Sequence, residues 1–457
     1  MRLEKNETSE MQASIRKGDM TEGPILKQLI WFALPLLIGA LFQLMYNMTD
    51  SIILGKFVGA EALAAIGATN TTTFGLLQVA VGVTNAFTVV LSQQFGAKQD
   101  QKMKRTVSNS IWITVVMSVL LGVGIFLGAR PLMELLGTPK NIINDSVLYV
   151  QIYGGLIAGQ LFYNAAAAIL KALGDSKTPL YFLIICSVLN VILDLVFVLV
   201  WHQGVRGVAW ATVISQTVSA VLCMVYMFRK YPILRFNRKE AAADGEILGE
   251  ILRIGIPLGL TNALLAVGMM VMTGVVNSFG SDIVAVYTVG GKVNQIATVS
   301  FGQLAFSCAV FAGQNYGARR NDRILKGIRQ ALGMVLALSA VSSVFIFTGA
   351  KYVALLFLNA EETGILGDTV QMIHIVSFFY VFLGAIWVYN NALRGVGAVK
   401  ATIFSSIVEL AAKVGLSIWF ASIFGYVGIW FAEPIGWILG LLVSGSIFHR
   451  KKWMKNF

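Results

Sequence analysis

The sequence predicts an all-α integral membrane protein in which twelve transmembrane helices form two six-helix repeats with a cleft between the lobes. Composition is the first reason, because 56% of the 457 residues are hydrophobic and only 13% are charged, about half the charged share of a soluble domain. The second is a series of twelve apolar stretches, each long enough to cross a bilayer as a helix of about 20 residues. The third is that the two halves of the chain repeat each other's motifs.

The twelve spans are separated by short polar segments. They are predicted at residues 29–54, 62–93, 106–129, 146–170, 179–201, 207–228, 252–277, 283–314, 328–350, 369–393, 401–424 and 427–448. Residues 1–25 mix both charge signs and contain no apolar core, which is not typical of a cleaved signal peptide. The first span is therefore expected to be retained.

The distribution of Lys and Arg predicts the orientation, because these residues accumulate on the cytoplasmic side of a membrane. Of the 35 Lys and Arg residues, the opposite side is expected to hold five: Lys56, Arg130, Lys140, Arg206 and Lys351. We therefore expect a multi-pass protein of the cell membrane, in contact with membrane lipids, with both termini in the cytoplasm. The net charge of +12 follows from the cytoplasmic loops, so no nucleic-acid partner is expected.

Internal repetition sets the domain organisation. "IWFALPLLIGALFQL" is echoed by "ILRIGIPLGLTNALL", which pairs Pro35 with Pro257 at an offset of 222. "SQQFGAK" is echoed by "GQNYGAR", "LKALGDSK" by "LRGVGAVK" and "RGVAWAT" by "VGIWFAE", at offsets of 221 to 223. Each half then holds six spans, and an even number gives both halves the same orientation, about an axis along the membrane normal.

This repetition predicts five regions along the chain. They are an N-terminal cytoplasmic tail (1–25), an N-terminal lobe (26–229), a cytoplasmic linker (230–250), a C-terminal lobe (251–449) and a basic cytoplasmic tail (450–457). A cleft between two such lobes exposes a midplane site to either side in turn, which is typical of transporters. A channel is less favoured, because no stretch of the sequence resembles a selectivity-filter loop. We expect a monomer.

Polar side chains form three stripes in the first lobe, with members three or four residues apart on one helical face. The stripes are Gln43, Asn47 and Asp50 in the first span, Asn190 and Asp194 in the fifth, and Thr212 and Gln216 in the sixth. An Asp at a helix centre costs about 2.5 to 3.5 kcal/mol on insertion scales, so Asp50 and Asp194 need a partner or a function. Oxygen ligands suit Na⁺, and a buried carboxylate suits a proton. Thr212 has a second interpretation, a hydrogen bond to the preceding turn.

The second lobe holds two further buried acids. Glu409 has Lys413 four residues later on the same helix, which predicts a structural ion pair. Glu433 precedes Pro434 near the start of the last span, where we expect it close to water. His374 stands alone on an apolar helix and is interpreted as a packed side chain.

Prolines and methionines within the spans allow two more expectations. Pro35 and Pro257 lie several residues inside their spans and predict kinks, with Pro35 as a hinge candidate. Three methionines of the seventh span either form an adaptable pocket for apolar ligands or pack against neighbouring helices. They are Met269, Met270 and Met272.

Five stretches complete the pattern: "MTDSIILG", "SQQFGAK", "ALGDSKTP", "NVILD" and "GVAWATVISQ". Together with the repeated halves they resemble the multidrug and toxic compound extrusion (MATE) family, and the resemblance runs from about residue 25 to 450. It implies a cation-coupled antiporter that exports amphipathic, often cationic, organic compounds in exchange for Na⁺ or H⁺.

The resemblance also implies site residues. The coupling-cation site of the family matches Asp50, Asn190, Asp194 and Thr212, with Na⁺ or H⁺ as the ion, and residues facing the substrate cleft match Gln43 and Asn164. Two departures from the family stand out. Leu195 replaces a Pro common after the fifth-span Asp, and the seventh and tenth spans carry no carboxylate.

Two other functional classes have weaker support in the sequence. A flippase for lipid-linked oligosaccharide or lipid favours a cleft with basic residues for phosphates, and the spans offer only Lys292 and Lys413, both in one lobe. An enzyme is not expected, because no paired histidines, phosphate-binding loop or nucleophile motif is found. Cys186, Cys223 and Cys308 all lie in spans, which suggests neither a disulfide framework nor a metal cluster, and no cofactor besides the coupling ion is predicted.

Overall fold

The structure, a computed structural model, describes residues 18–359 and 361–455. The side chains of residues 47, 70–72, 74, 76 and 455 lie outside the described set. Most of the predicted N-terminal tail, the last residues of the basic tail and the side chain of Asn47 are therefore outside the description.

Twelve helical units follow one another in the described residues. They are α1 (Ile25–Phe57), α2 (Ala60–Gly96), α3 (Asp100–Leu135), α4a (Ile143–Gly155) with α4b (Ala158–Ala172), α5 (Lys177–Leu195), α6 (Gly204–Lys230), α7 (Gly245–Asn277), α8 (Ser281–Gly317), α9 (Asn321–Ala354), α10a (Thr363–Phe378) with α10b (Tyr380–Gly395), α11 (Val399–Phe424) and α12 (Tyr426–His449). A π-helical segment, Val196–Val200, continues α5. The all-α class and the twelve spans are confirmed, and each predicted span falls within one unit to within one residue.

Two of the twelve helical units are interrupted by a break at which the helix axis bends. α4a and α4b meet at 44°, and α10a and α10b meet at 49°. α1 and α7 stay helical through Pro35 and Pro257, so the bends that break a helix lie at positions without proline. The α4 break adjoins α3, where a Cβ added to Gly122 would lie 2.7 Å from the carbonyl oxygen of Gly155.

The chain divides into two compact units. Unit 1 comprises Met1–Asp19 and Leu34–Gly259, and unit 2 comprises Met20–Ala33 and Leu260–Phe457. The boundary between Ala33 and Leu34 falls inside α1, and the boundary between Gly259 and Leu260 falls inside α7.

The repeat predicted from the sequence is present in the backbone. The non-glycine residues Lys98 and Arg319, 221 positions apart, have left-handed φ angles of 58° and 57°. Three glycine pairs with positive φ share the same spacing to within two residues: Gly59 with Gly280, Gly174 with Gly397, and Gly204 with Gly425. The two bent helices are corresponding members of the repeats as well. The same turn geometry therefore connects equivalent helices in both units.

The outward surfaces of the helices are apolar. Leu127 is 72% exposed, Leu135 82% and Phe345 70%, whereas the interior of unit 1 is built from fully buried side chains such as Phe87 and Leu91. Large exposed apolar side chains in this number are typical of a lipid-facing surface. Cys186, Cys223 and Cys308 are all buried.

Candidate functional site

A cluster of polar side chains lies inside unit 1, where α1, α5 and α6 contribute to one site. Asn190 and Asp194 from α5 are fully buried, with 0% exposure, and Thr212 from α6 is 4% exposed. Asp50 from α1 is half-buried. The structure thus brings together the four residues predicted as the coupling-cation site, and we name them the carboxylate cluster.

Thr212 joins the members of the carboxylate cluster. Its hydroxyl donates to the backbone carbonyl of Val208 at 3.0 Å. Its Oγ1 atom is also 3.5 Å from Asn190 Nδ2 and 3.4 Å from the hydroxyl of Tyr46 on α1. The predicted bond to the preceding turn is therefore present, and the same oxygen accepts from two other helices. The role of Thr212 in binding a cation stays a prediction.

The two carboxylates interact with each other. Asp50 interacts electrostatically with Asp194 and with Tyr46. Within the described part of the chain, four side-chain oxygens of the cluster accept no hydrogen bond: Oδ1 of Asp50, Oδ1 of Asn190, and both oxygens of Asp194. Two neighbouring acids in a buried site repel one another when both are ionised, so such an arrangement favours binding a cation or holding a proton.

Three tyrosines beside the cluster are additions to the predicted site. Tyr46 precedes Asp50 by one helical turn, and Tyr149 and Tyr153 of α4a, also one turn apart, interact electrostatically with Asp50. The rings of Tyr149 and Tyr153 stack with centroids 5.7 Å apart, and the Tyr153 hydroxyl donates to Gln160 Oε1 at 2.6 Å. The four-residue spacing was visible in the sequence, but aromatic residues in spans usually pack, so nothing marked these as site residues.

Apolar packing closes the site on one side. A buried cluster adjoins it, with Tyr149 and Val191 at its edge: Ile53, Leu54, Ala62, Val198, Val205 and Val208. α5 changes to π-helical geometry directly after Leu195, and the amide of Trp201 donates to the carbonyl of Val196 at 3.0 Å. The resemblance noted from the sequence implies a proline at the position of Leu195, and the π-helical segment begins one residue after it. Such π-helical turns are frequent at functional sites.

The two residues matched to a substrate cleft lie apart from these contacts. Gln43 is exposed on α1 and Asn164 is half-buried on α4b. Among the side chains that the structure describes, neither forms a hydrogen bond with the carboxylate cluster. Their assignment to the cleft stays a prediction.

The predicted ion pair of unit 2 has a different partner. Lys413 of α11 forms its salt bridge with Glu433 of α12, so the prediction of a Glu409–Lys413 pair is wrong. The reason is helix packing, because a Cβ added to Gly436 would lie 3.0 Å from the carbonyl oxygen of Glu409, and this close approach brings Glu433 to Lys413. Glu433, expected close to water, has a side chain that is only 18% exposed.

His374 and the methionines have structural surroundings. His374 Nε2 is 3.0 Å from the carbonyl oxygen of Phe347, and the two rings stack with centroids 4.1 Å apart. Met272 is buried and its sulfur accepts from Ser417 at 3.1 Å, whereas Met269 and Met270 are 55% and 49% exposed. The three methionines therefore do not share one surface.

The sequence of this chain is similar to a family model and to known proteins along most of its length. A protein-family model described as MatE matches residues 35–196 and 257–419. The chain is 29% identical over 398 residues to the probable multidrug resistance protein YpnP of Bacillus subtilis (strain 168), covering 86% of this chain and 87% of that one. It is 26% identical over 441 residues to the probable multidrug resistance protein YoeA of the same organism, covering 93% of each.

Among solved structures, the chain resembles the outward-facing conformation of a multidrug resistance MATE family transporter of the MOP superfamily. The TM-score is 0.89 at 23% identity, with coverage of 96% of this chain and 99% of that chain. Likeness at this level of identity shows a shared fold.

Proposed function

Because the chain belongs to the MATE family of multidrug efflux transporters, we propose that it is an antiporter that exports amphipathic, often cationic, organic compounds in exchange for Na⁺ or H⁺. The carboxylate cluster of unit 1 is the proposed site of the coupling ion. Alternating access of the two lobes would link ion entry to export.

One observation carries the proposal. Asp194 is fully buried, interacts with Asp50, and presents two carboxylate oxygens that accept no hydrogen bond from the described side chains around it. Leaving buried anionic oxygens without donors costs several kcal/mol, at about 1–3 kcal/mol or more for each group. A bound Na⁺ or proton would remove that cost, and Thr212 and Asn190 would add neutral oxygens to the ion's surroundings.

Antiport requires that the ion and the exported compound oppose each other. Gln43 lies seven residues before Asp50 on α1, about 10 Å along the helix axis. An organic cation bound near Gln43 would be attracted by the same carboxylates that attract the coupling ion. Ion entry therefore weakens binding of the compound, and the affinity for a fluorescent organic cation should fall as Na⁺ or H⁺ rises.

The test is efflux from vesicles that contain the purified protein, under Na⁺ and pH gradients imposed separately. Asp50→Asn and Asp194→Asn should each lower gradient-driven efflux per folded molecule by about tenfold or more. Glu409→Gln is the matched control, since it removes a half-buried acid from a helix of unit 2. Loss of ion coupling in Glu409→Gln while Asp194→Asn keeps it would place the coupling site in the other unit.

The flippase alternative has less support from the basic residues. Lys413 is engaged with Glu433, and Lys292 lies 5.6 Å from the ring centroid of Phe357. The same vesicles can be loaded with a lipid-linked sugar. Transport of that lipid without movement of the organic cation would favour the flippase.

A further inference from the structure

The spacing of the repeat identifies the residues of unit 2 that correspond to the carboxylate cluster. Two anchors set this spacing for α5 and α11 at 223 positions. One is the pair of glycines before these helices, Gly174 and Gly397, whose φ angles are 81° and 78°. The other is Phe197 and Phe420, whose Cβ atoms would lie 2.8 Å and 2.7 Å from a Cβ added to equivalent glycines of α6 and α12. The spacing is therefore the same on both sides of the cluster residues of α5.

Every member of the carboxylate cluster thus has a counterpart. The helices α6 and α12 are related by 221 positions, as "RGVAWAT" and "VGIWFAE" show, and α1 and α7 by the 222 positions between Pro35 and Pro257. The counterparts are Met272 for Asp50, Lys413 for Asn190, Ser417 for Asp194 and Glu433 for Thr212. Where these positions of unit 1 hold two carboxylates and no basic side chain, those of unit 2 hold one carboxylate and one ammonium group.

The contact between α5 and α6 recurs between α11 and α12. In unit 1 Asn190 Nδ2 is 3.5 Å from Thr212 Oγ1. In unit 2 the ammonium group of Lys413 forms a salt bridge with Glu433, and the two side chains are 16% and 18% exposed. A neutral contact in one repeat is thus an ion pair at the same place in the other.

The contact between α1 and α5 recurs between α7 and α11. Asp50 interacts with Asp194 in unit 1, and the Met272 sulfur lies 3.1 Å from the Ser417 hydroxyl in unit 2. Both contacts between helices agree with the spacings that the glycines and motifs set elsewhere. The correspondence of the two sites therefore rests on geometry as well as on sequence.

The Lys413 ammonium group has the charge that the carboxylate cluster lacks. It is a compact single positive charge, as a monovalent cation is, and a covalent stem holds it in place. Glu433 is its salt-bridge partner, and Glu409 and Tyr287 also interact with it electrostatically. Charged side chains within spans pair with one another or mark a transport pathway. An ion pair that served stability alone would have no reason to lie at the counterpart of the proposed coupling site.

We propose that the Lys413 ammonium group is a tethered cation that fills the unit 2 counterpart of the coupling-cation site. The inference rests on the function proposed above for the carboxylate cluster. A tethered cation neither enters nor leaves, so unit 2 stays in the equivalent of the ion-bound state throughout the cycle. Ion exchange is then confined to unit 1.

The first experiment places a tethered cation in unit 1. Asn190→Lys puts an ammonium group beside Asp50 and Asp194, and we expect a folded protein whose ion-driven efflux falls by about tenfold or more. Its thermal midpoint should exceed that of Asn190→Met, which has an uncharged side chain of similar length, because the two acids gain a partner. In the Asp194→Asn background this advantage should become smaller.

The second experiment removes the cation from unit 2. Lys413→Ala leaves Glu433 without its partner and opens a space for n-propylammonium, which matches the Cγ, Cδ, Cε and Nζ atoms that the change removes. In the full-length protein in detergent, n-propylammonium chloride should raise the thermal midpoint of Lys413→Ala with a saturable concentration dependence. Tetramethylammonium has the charge but no N–H group and should not. The double variant Lys413→Ala with Glu433→Gln is the matched control, since it has no carboxylate at this place to hold the amine.

The outcomes separate this inference from the proposed function. Ion-coupled efflux kept by Asn190→Lys but lost by Asp194→Asn would overturn the inference alone, and so would a midpoint of Asn190→Lys no higher than that of Asn190→Met. Equal stabilisation of Lys413→Ala and its double variant by n-propylammonium would show that unit 2 has no cation site. Ion-coupled efflux kept by Asp194→Asn would overturn the proposed function, and this inference with it. If Lys413→Ala does not fold, the two Asn190 variants give the result.

Discussion

At the scale of single residues, the partner of Lys413 decides which acid of unit 2 matters for stability. Its salt bridge is made with Glu433, and both side chains are mostly buried, at 16% and 18% exposure. Removing one member of such a pair leaves a buried charge without compensation, which costs about 3 kcal/mol. Glu433→Gln should therefore lower the thermal midpoint of the purified protein clearly.

Glu409→Gln is the comparison for that prediction. It removes an acid that interacts with Lys413 but is not its salt-bridge partner, so we expect a smaller loss of stability. Thermal unfolding of both variants in the same detergent gives the answer. Equal losses would mean that Lys413 depends on both acids to the same degree.

Asp175, in the turn between α4b and α5, predicts a dependence of stability on pH. Burial alone would raise the pKa of its carboxyl group, but hydrogen bonds from Lys230, Tyr231 and Thr178 outweigh it and hold that pKa below its ordinary value. A pKa lowered by folding adds stability that is complete above the unfolded-state pKa and is lost as the pH falls through the folded one.

Asp175→Asn should lower stability at neutral pH by about 1–3 kcal/mol, since hydrogen bonds to a charged group are removed. The difference from the parent protein should shrink as the pH falls below about 4, the ordinary pKa of an Asp carboxyl group, and on through the lower pKa of the folded protein. Asp145→Asn, at an exposed carboxylate, is the control. A difference that does not change with pH would contradict the role of ionised Asp175.

The sequence predicted much of the candidate site at this scale. Spacing of three and four residues identified the faces of α1, α5 and α6, and these faces do meet. The tyrosines were missed, because periodicity alone does not separate a packed aromatic ring from one beside a carboxylate. The Lys413 partner was missed because the contact depends on how α12 packs on α11, and that packing has no signal within α11 itself.

At the scale of elements, α3 approaches the backbone of α4 closely beside the bend of α4. A Cβ at Gly122 would lie 2.7 Å from the carbonyl oxygen of Gly155, which is backbone and has no other rotamer to adopt. Gly122→Ala should therefore separate α3 from α4a and cost about 1–3 kcal/mol. Gly124→Ala, two residues along α3, meets nothing within 4 Å and should cost nothing. Thermal unfolding of the two variants side by side makes the test, and equal stability would show that the helices adapt freely.

Span positions were predictable from the sequence, but the bends were not. Apolar length determines where a helix crosses a membrane, and that signal is strong over 20 residues or more. The bends at Leu156–Ile157 and at Phe379 contain no proline, so no residue type at these positions marks a break in the sequence. Many helices also extend past the predicted spans, as α9 does by starting at Asn321, because a helix continues into polar sequence beyond the hydrocarbon.

At the scale of the whole molecule, the charge distribution predicts the orientation in the membrane. We expect both termini in the cytoplasm and the loop that contains Lys140 outside. An epitope after Phe457 should be stained by antibody only after cells are permeabilised, and an epitope after Lys140 should be stained on intact cells. The reverse pattern would invert the topology, and both variants must retain efflux for the comparison to hold.

The burial of the three native cysteines has a practical consequence. Cys186 and Cys223 in unit 1 and Cys308 in unit 2 are all enclosed, so the outside of the protein offers no thiol of its own to an attached probe. A single cysteine introduced at the surface would be the one accessible thiol for labelling with a fluorophore or a spin label, without removal of the native cysteines. With one such cysteine in each unit, the distance between the two attached labels could be measured during transport.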